Sequence, residues 1–316
     1  MKYSIVALFS LSFSLFAQDF PPSAGLPGST AISSSSIYID EWVSDVEVIR
    51  GPMNISEPDS GLASVGEAID AEGPSDPAVV SLGDGGEAII TLSSPLANHG
   101  GFDFAIFENG FDANFLELAF VEVSSDGSNY FRFPSVSNTS TEVQIGPFNI
   151  LDATYIHNLA GKYQSQYGTP FDLMDLDTIE GLDINQITHI KVIDVVGSIQ
   201  EAFASYDSQG NIINDPWPTP FESSGFDLES VAILLENDLD LDELTNVLSY
   251  TYEDNVFALS DPSDRFEFKL FNFQGQLVKF GQSKSNISLQ DLTNGVYIVH
   301  VLNEVHNFAA VKLLKN

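Results

Sequence analysis

The chain of 316 residues contains no cysteine. That absence removes disulfide crosslinks, thiolate metal ligands, a cysteine nucleophile and lipid attachment through an N-terminal cysteine. Stability must then come from burial of a core and, where oxygen ligands gather, from metal. Positive charge is nearly as scarce. Eleven Lys and Arg stand against 45 Asp and Glu, a formal net charge of −34. Such a surface repels phosphate backbones, which excludes nucleic acid as a partner. No apolar run reaches the ~20 residues of a bilayer-spanning helix. No His-Glu-x-x-His, Gly-x-Ser-x-Gly elbow or phosphate-binding Gly-rich loop occurs, and the five histidines are scattered. The familiar zinc-protease, serine-hydrolase and nucleotide-hydrolase routes are therefore missing.

What the chain does have is organised in five parts. Lys2, the apolar stretch Ile5 to Phe16 and the small residue Ala17 have the three-part pattern of a secretory signal, so residues 1–18 are expected to be an export signal. Residues 19–36, ending in Ser33-Ser34-Ser35-Ser36, are Pro/Gly/Ser-rich and predict a flexible lead. Residues 37–237 form the main domain, 238–246 an acidic linker (Asp238-Leu-Asp-Leu-Asp-Glu243), and 247–316 a small C-terminal domain. The acids are concentrated in the middle. Thirty-four of the 45 lie between residues 19 and 237, with only four Lys and Arg there.

Short alternating runs follow one another with turn residues between them. Ala78 to Leu82 is closed by Gly83-Asp84-Gly85-Gly86. Leu116 to Ser124 is followed by Asp126-Gly127, a hairpin signal, and Tyr130 to Phe133 returns. That density of strands and turns predicts an all-β chain, with a β-sandwich or jelly roll followed by a smaller β-sandwich. Leu151 to Tyr167 is the least β-like stretch and has room for a short helix.

An acidic chain read as exported is a natural host for Ca2+, which takes six to eight oxygen ligands from carboxylates, amides and backbone carbonyls. The long polar segment from Glu201 to Phe226 contains Asp207, Asn211, Asn214 and Asp215, a candidate Ca2+ loop lacking the EF-hand spacing. The bland alternative is an Asx-turn loop held by its own hydrogen bonds. Glu108, Asn109 and Asp112 form a second candidate cluster. Trp217, between Pro216 and Pro218, offers a ring for stacking on a sugar or flat macrocycle, or else a plug for the end of the sandwich. Tyr155 and Tyr163 are further candidate ligand contacts.

Two resemblances add to this reading. Lys269-Leu-Phe-Asn-Phe-Gln-Gly275-Gln-Leu-Val278, Ile287-Ser-Leu-Gln-Asp-Leu292, Asn294-Gly295-Val-Tyr297 and the closing Val311-Lys312-Leu-Leu-Lys315 resemble the type A C-terminal sorting domain of the Bacteroidetes type IX secretion system. The Asn-Pro usual near the start of that domain is replaced here by Tyr250 to Ser260. The resemblance implies passage across the outer membrane, with the secretion machinery as a partner. The segments Val80 to Gly86, Phe102 to Phe111, Val121 to Gly127 and Asn211 to Leu228 resemble Bacteroidetes cell-surface proteins. Val121 to Gly127 also looks like the strand and turn of galactose-binding-like jelly rolls. These likenesses imply capture of a glycan or of a scavenged nutrient such as cobalamin. The expected function is a secreted or surface-displayed, calcium-stabilised binding protein. The alternatives are a glycan hydrolase using a carboxylate pair and a structural or adhesive surface component.

Overall fold

The structure is a computed structural model and describes residues 20–36, 38–75, 78–235, 250–259, 266–272, 277–283, 286–303 and 308–315. The expected export signal and the acidic linker lie outside the described residues. Among the described residues there is no α-helix; regular structure is β-strand with four short 3-10 turns. No described helix is long and apolar enough to cross a membrane.

In chain order the main domain holds β1 (Ile32–Ser33), β2 (Ile39–Trp42), β3 (Val46–Ile49), β4 (Val80–Ser81) and β5 (Glu87–Leu96). Then come β6 (Phe104–Glu108), β7 (Ala119–Ser124), β8 (Phe131–Arg132) and β9 (Val136–Ser137). The last four are β10 (Ile156–His157), β11 (Tyr167–Phe171), β12 (Ile187–Asp194) and β13 (Asp227–Leu234). One antiparallel sheet runs β1-β11-β6-β13-β2, with β4 also on β13; the other runs β3-β5-β12-β7-β8. β9 and β10 make a separate ribbon.

Period-two alternation explains how the sheets face each other. On β12, Ile190 and Val192 are buried and pair with Ile90 and Ala88 of β5 and with Val123 and Val121 of β7. Across the sandwich Phe104, Ile106, Phe171, Leu228 and Val231 complete a single core. Phe104, Phe133 and Phe171 contact one another with ring centroids 5.1–5.8 Å apart. Each fully buried Phe contributes roughly 1.5–3 kcal/mol of transfer free energy. The alternation has a second effect. Asp194 follows Ile190 and Val192 on the same face of β12, so the pleat carries a carboxylate inward.

Two expectations need correction. The segment 20–36 is not a free lead. Ile32 pairs with Gly168 and Ser33 with Tyr167, the Thr30 and Tyr163 hydroxyls lie 2.8 Å apart, and the Phe20 ring stacks on His157 at 4.9 Å. Ile32, with Ile39, Trp42 and Phe102, covers the outer face of the first sheet at Ala105, Phe107, Ala232 and Leu234. The serine-rich composition signalled low hydrophobicity, but unsatisfied backbone groups on the edge of β11 recruited it. The room for a helix in 151–167 shrinks to one 3-10 turn, Ala153–Tyr155, capped by the Asp152 side chain accepting from Thr154 N. The chain then enters β10.

In the C-terminal part, Tyr250–Glu253, Val256–Leu259 and Asn286–Ser288 form a three-stranded sheet. Leu277–Ser283, Phe266–Asn272, Gly295–Asn303 and Phe308–Lys315 form a four-stranded one in that order. Phe257, Leu270, Ile287, Leu289, Val299 and Val301 form its own core.

Candidate functional site

The Asp207 loop folds on itself. Asp207 Oδ1 accepts from Gln209 N at 2.9 Å and Asn211 N at 2.8 Å; its Oδ2 accepts from Asn211 Nδ2 and Ser137 N, both at 3.2 Å. Asn214 is fully buried and spends its amide on Ser140 O, Val143 O and Ile145 N. These are the bonds of an Asx-turn loop and of a buried strut, and they occupy the oxygens a cation would need. Asp112 is exposed and caps its own turn through Asn114 N and Phe115 N at 2.8 and 3.0 Å. Asn109 is half-buried beside it.

Glu108 and Asp215 behave differently, and they meet in the same neighbourhood. Glu108 ends β6 and is 2% exposed; Asp215 lies within the polar loop and is 3% exposed. Around them stand acids that sequence reading had not singled out as site residues: Asp84, Glu117, Asp194, Asp227 and Glu229. Gly-rich turns let the backbone close in. A side chain at Gly225 (φ +71°) would meet Gly83 backbone at 2.7 Å and Asp194 Oδ1 at 2.8 Å. At Gly197 a side chain would meet Asp215 backbone at 2.5 Å.

Some of these acids are tied down. Asp194 accepts from Gly85 N at 2.8 Å and Phe226 N at 2.7 Å. Asp84 accepts from Ile55 N at 2.8 Å and from the Trp217 indole at 3.1 Å. Asp227 takes the Ser81 hydroxyl, and Glu229 takes the Ser75 hydroxyl at 2.6 Å. Asp215 Oδ2 accepts from Leu118 N at 3.1 Å, but its Oδ1 has no partner, and neither does Glu108 Oε2. The ion pairs His99–Asp103, Arg132–Glu122, Lys191–Glu87 and Lys279–Asp291 do not involve Glu108, Glu117, Asp194, Asp215 or Asp227.

Burial without a counter-charge has the expected electrostatic result. Glu108 is held well above the ordinary carboxylate range, first by burial and then by Glu117 and Asp227. Glu117 is raised likewise by burial, Asp227, Asp215 and Asp194. Burial pushes Asp194 up to about 8, with Asp84 adding to it, and Asp227 up to about 6 against the Ser81 bond. Asp215 is also raised by burial. Glu117 and Asp227 keep part of their surface open to solvent. Among the described residues, no group of three or more His, Asp or Glu side chains is placed where it could hold a metal ion.

The aromatic candidates separate. Trp217 is 5% exposed, bonded to Asp84 and stacked near Phe203 at 6.2 Å, so it plugs the sandwich end and is no open platform. Tyr163 is 1% exposed and packs; Tyr155 is 41% exposed. At the end of β9, the segment 137–142 borders a groove of about 480 Å³ against Asn211 and Ile212. Its other walls include Ser137, Asn138, Thr139 and Glu142. Ser137 Oγ and Thr139 Oγ1 are buried there without a hydrogen-bond partner.

The architecture is thus a pair of β-sandwiches, and the comparisons assign the second. Residues 253–316 match the secretion system C-terminal sorting domain. The chain thus carries a C-terminal sorting domain of the type IX system, which marks it for secretion to the outer cell surface. No curated protein matches the chain. Among solved structures, β-glucuronidase from Ruminococcus gnavus in complex with uronic deoxynojirimycin is 12% identical, with a TM-score of 0.26. The comparison covers 90% of this chain and 47% of that one. The same enzyme with C6-substituted uronic isofagomine gives 12%, 0.27, 90% and 47%. The chain spans about half the length of these enzymes, and scores this low do not establish a common fold.

Proposed function

We propose that this surface-delivered protein binds a neutral polyhydroxylated ligand, a glycan, in the groove between the segment 137–142 and Asn211. The observation that carries this reading is the pair of unpartnered hydroxyls, Ser137 Oγ and Thr139 Oγ1, in a groove walled by Ser, Thr and Asn. Buried polar groups without partners are costly. A ligand presenting many hydroxyls matches the Ser, Thr and Asn side chains that wall the groove, and reaches the two hydroxyls when their side chains turn outward. A glycan suits the groove better than a corrinoid, because no aromatic side chain lines it. Binding is favoured over hydrolysis because the groove holds a single carboxylate, Glu142, where a glycosidase needs two.

The test is an oligosaccharide array probed with the purified chain, followed by titration of the hits. Thr139→Val and Asn211→Ala are expected to weaken binding roughly tenfold each, about 1.4 kcal/mol. An array without hits, or hits that both variants bind like wild type, overturns the reading.

A further inference from the structure

We propose that the cavity beside the N-terminal segment, walled by Phe20, Phe102, His157, Lys162 and Thr169, binds a small organic acid, whose carboxylate meets the Lys162 ammonium and whose apolar body meets the two Phe rings. The cavity measures about 250 Å³ and shares no wall residue with the groove, so the inference stands independently of the glycan reading. Lys162 lies in the connection from β10 to β11 and is 4% exposed. Its Nζ donates to Ile156 O at 2.7 Å and lies 5.9 and 5.6 Å from the Phe20 and Tyr163 ring centres. An ammonium has three N–H donors, and a carbonyl with two ring faces leaves its full charge uncompensated. A buried charge is costly without a counter-ion. Acids outnumber Lys and Arg by 45 to 11 in this chain, yet Lys162 takes no part in the ion pairs among the described residues.

Burial pushes the Lys162 amine down to about 8, and no acid acts against it. The group therefore still carries its proton at pH 7. The titratable neighbours are His157 and, beyond it, Asp175. Burial holds the His157 imidazole below its ordinary range, with Asp175 opposing and Lys162 adding to the effect, so at pH 7 the ring offers a hydrogen bond without a charge. Asp175 is exposed and already accepts from Asn158 Nδ2 at 2.7 Å. The wall at Phe20 is held in place: its backbone N donates to Thr154 O at 2.9 Å and its ring stacks on His157. Thr169 Oγ1 accepts from Lys162 N at 3.2 Å, which ties β11 to the lysine backbone. One fixed cation among Phe20, Phe102 and Pro170 suits a monocarboxylate with an apolar body. A phosphate, which takes several charged or N–H donors, would find too few here.

The experiment is a calorimetric titration of the purified full chain at pH 7 with benzoate and hexanoate, and with benzamide and hexanamide as neutral probes of matching shape. At least one of the two acids is expected to bind, roughly tenfold or more tighter than its amide, and to raise the melting temperature with concentration. Its affinity is expected to fall above pH ~8, as Lys162 loses its proton. Lys162→Met keeps the aliphatic stem, removes the charge and is expected to erase the preference for acid over amide. Should that variant fail to fold, Phe102→Trp, at a half-buried wall position with Lys162 intact, provides a second test by filling the cavity; it is expected to weaken the acids roughly tenfold or more. Thr139→Val, in the groove, is expected to leave acid binding unchanged. A wild type that binds neither acid at millimolar concentration overturns the proposal. So do amides that bind as tightly as the acids, or acid binding that survives both Lys162→Met and Phe102→Trp.

Discussion

Asp126 and Asp215 are both aspartates in connecting segments, yet they live in opposite regimes. Asp126 sits in the exposed turn after β7 and accepts from Ser128 N and Asn129 N at 2.8 Å each, and from Asn129 Nδ2 at 2.7 Å. Those bonds, the Asn129 N–H foremost, hold its carboxyl far below the ordinary range. Asp215 has one donor, Leu118 N, and is pushed well above it by burial. The first acid organises a turn by accepting hydrogen bonds. The second is surrounded by further acids and leaves an oxygen unmet. What separates them is the supply of donors: a tight turn presents its own N–H groups to a local side chain, whereas strand ends have already spent theirs in the ladders.

The largest expected break in this contrast is Asp194→Ala. It strips the acceptor from two N–H groups, Gly85 and Phe226, and is expected to cost roughly 2–5 kcal/mol in urea unfolding. A loss below 1 kcal/mol would show that relief of acid crowding outweighs the two bonds.

The pH dependence comes next, and its sign differs between the two regimes. Asp194 and Asp227 are raised in the folded state to about 8 and about 6, so between pH ~4 and those values the native state holds more protons than the unfolded chain. Their stabilising contribution is complete below pH ~4 and is lost as pH rises toward 6 and then 8, at up to about 1.4 kcal/mol per unit per group. Melting temperatures measured across this range should show that fall. Asp126, being depressed, contributes above its unfolded value and loses that contribution only in acid. A melting temperature that rises from pH 5 to 8 would break the contrast.

Asp207→Ala probes the turn regime inside the main domain. It leaves Gln209, Asn211 and Ser137 N–H groups without their acceptor and should cost about 1–3 kcal/mol in urea unfolding. Trp217→Phe keeps the plug and removes only the indole bond to Asp84; about 1 kcal/mol is expected in thermal unfolding. Asp126→Ala should give the smallest shift, because the turn is solvent-exposed and its N–H groups can bond to water.

The strand pattern was readable because alternation and turn residues are local properties. Ile190 and Val192 on β12, the Asp126-Gly127 hairpin and the C-terminal sorting domain all follow from neighbours in sequence. The segment 20–36 was misjudged because its order comes from β11 and His157, more than a hundred residues away. Trp217 offered no local clue to its burial, which depends on Asp84 and Phe203. Of the acid group, Glu108 and Asp215 were singled out, but each for a loop that its neighbours then satisfied without it. A signal for the others did exist. Leu116-Glu117-Leu118, Val192-Ile-Asp194-Val-Val and Phe226-Asp227-Leu-Glu229 each set an acid inside an apolar run, where a solvated side chain has little reason to be.

By itself, the amino-acid sequence determined the all-β class, the absence of disulfides, the acidic character and the C-terminal sorting domain. Each of these depends on composition or on spacing within a few residues. Tertiary structure alone decided which acids share one buried end of the sandwich and which hydroxyls line the groove. Those groupings come from sheet pairing across up to about two hundred residues, and the energy of a buried charge or an unmet hydroxyl depends on what is packed around it, not on its neighbours along the chain.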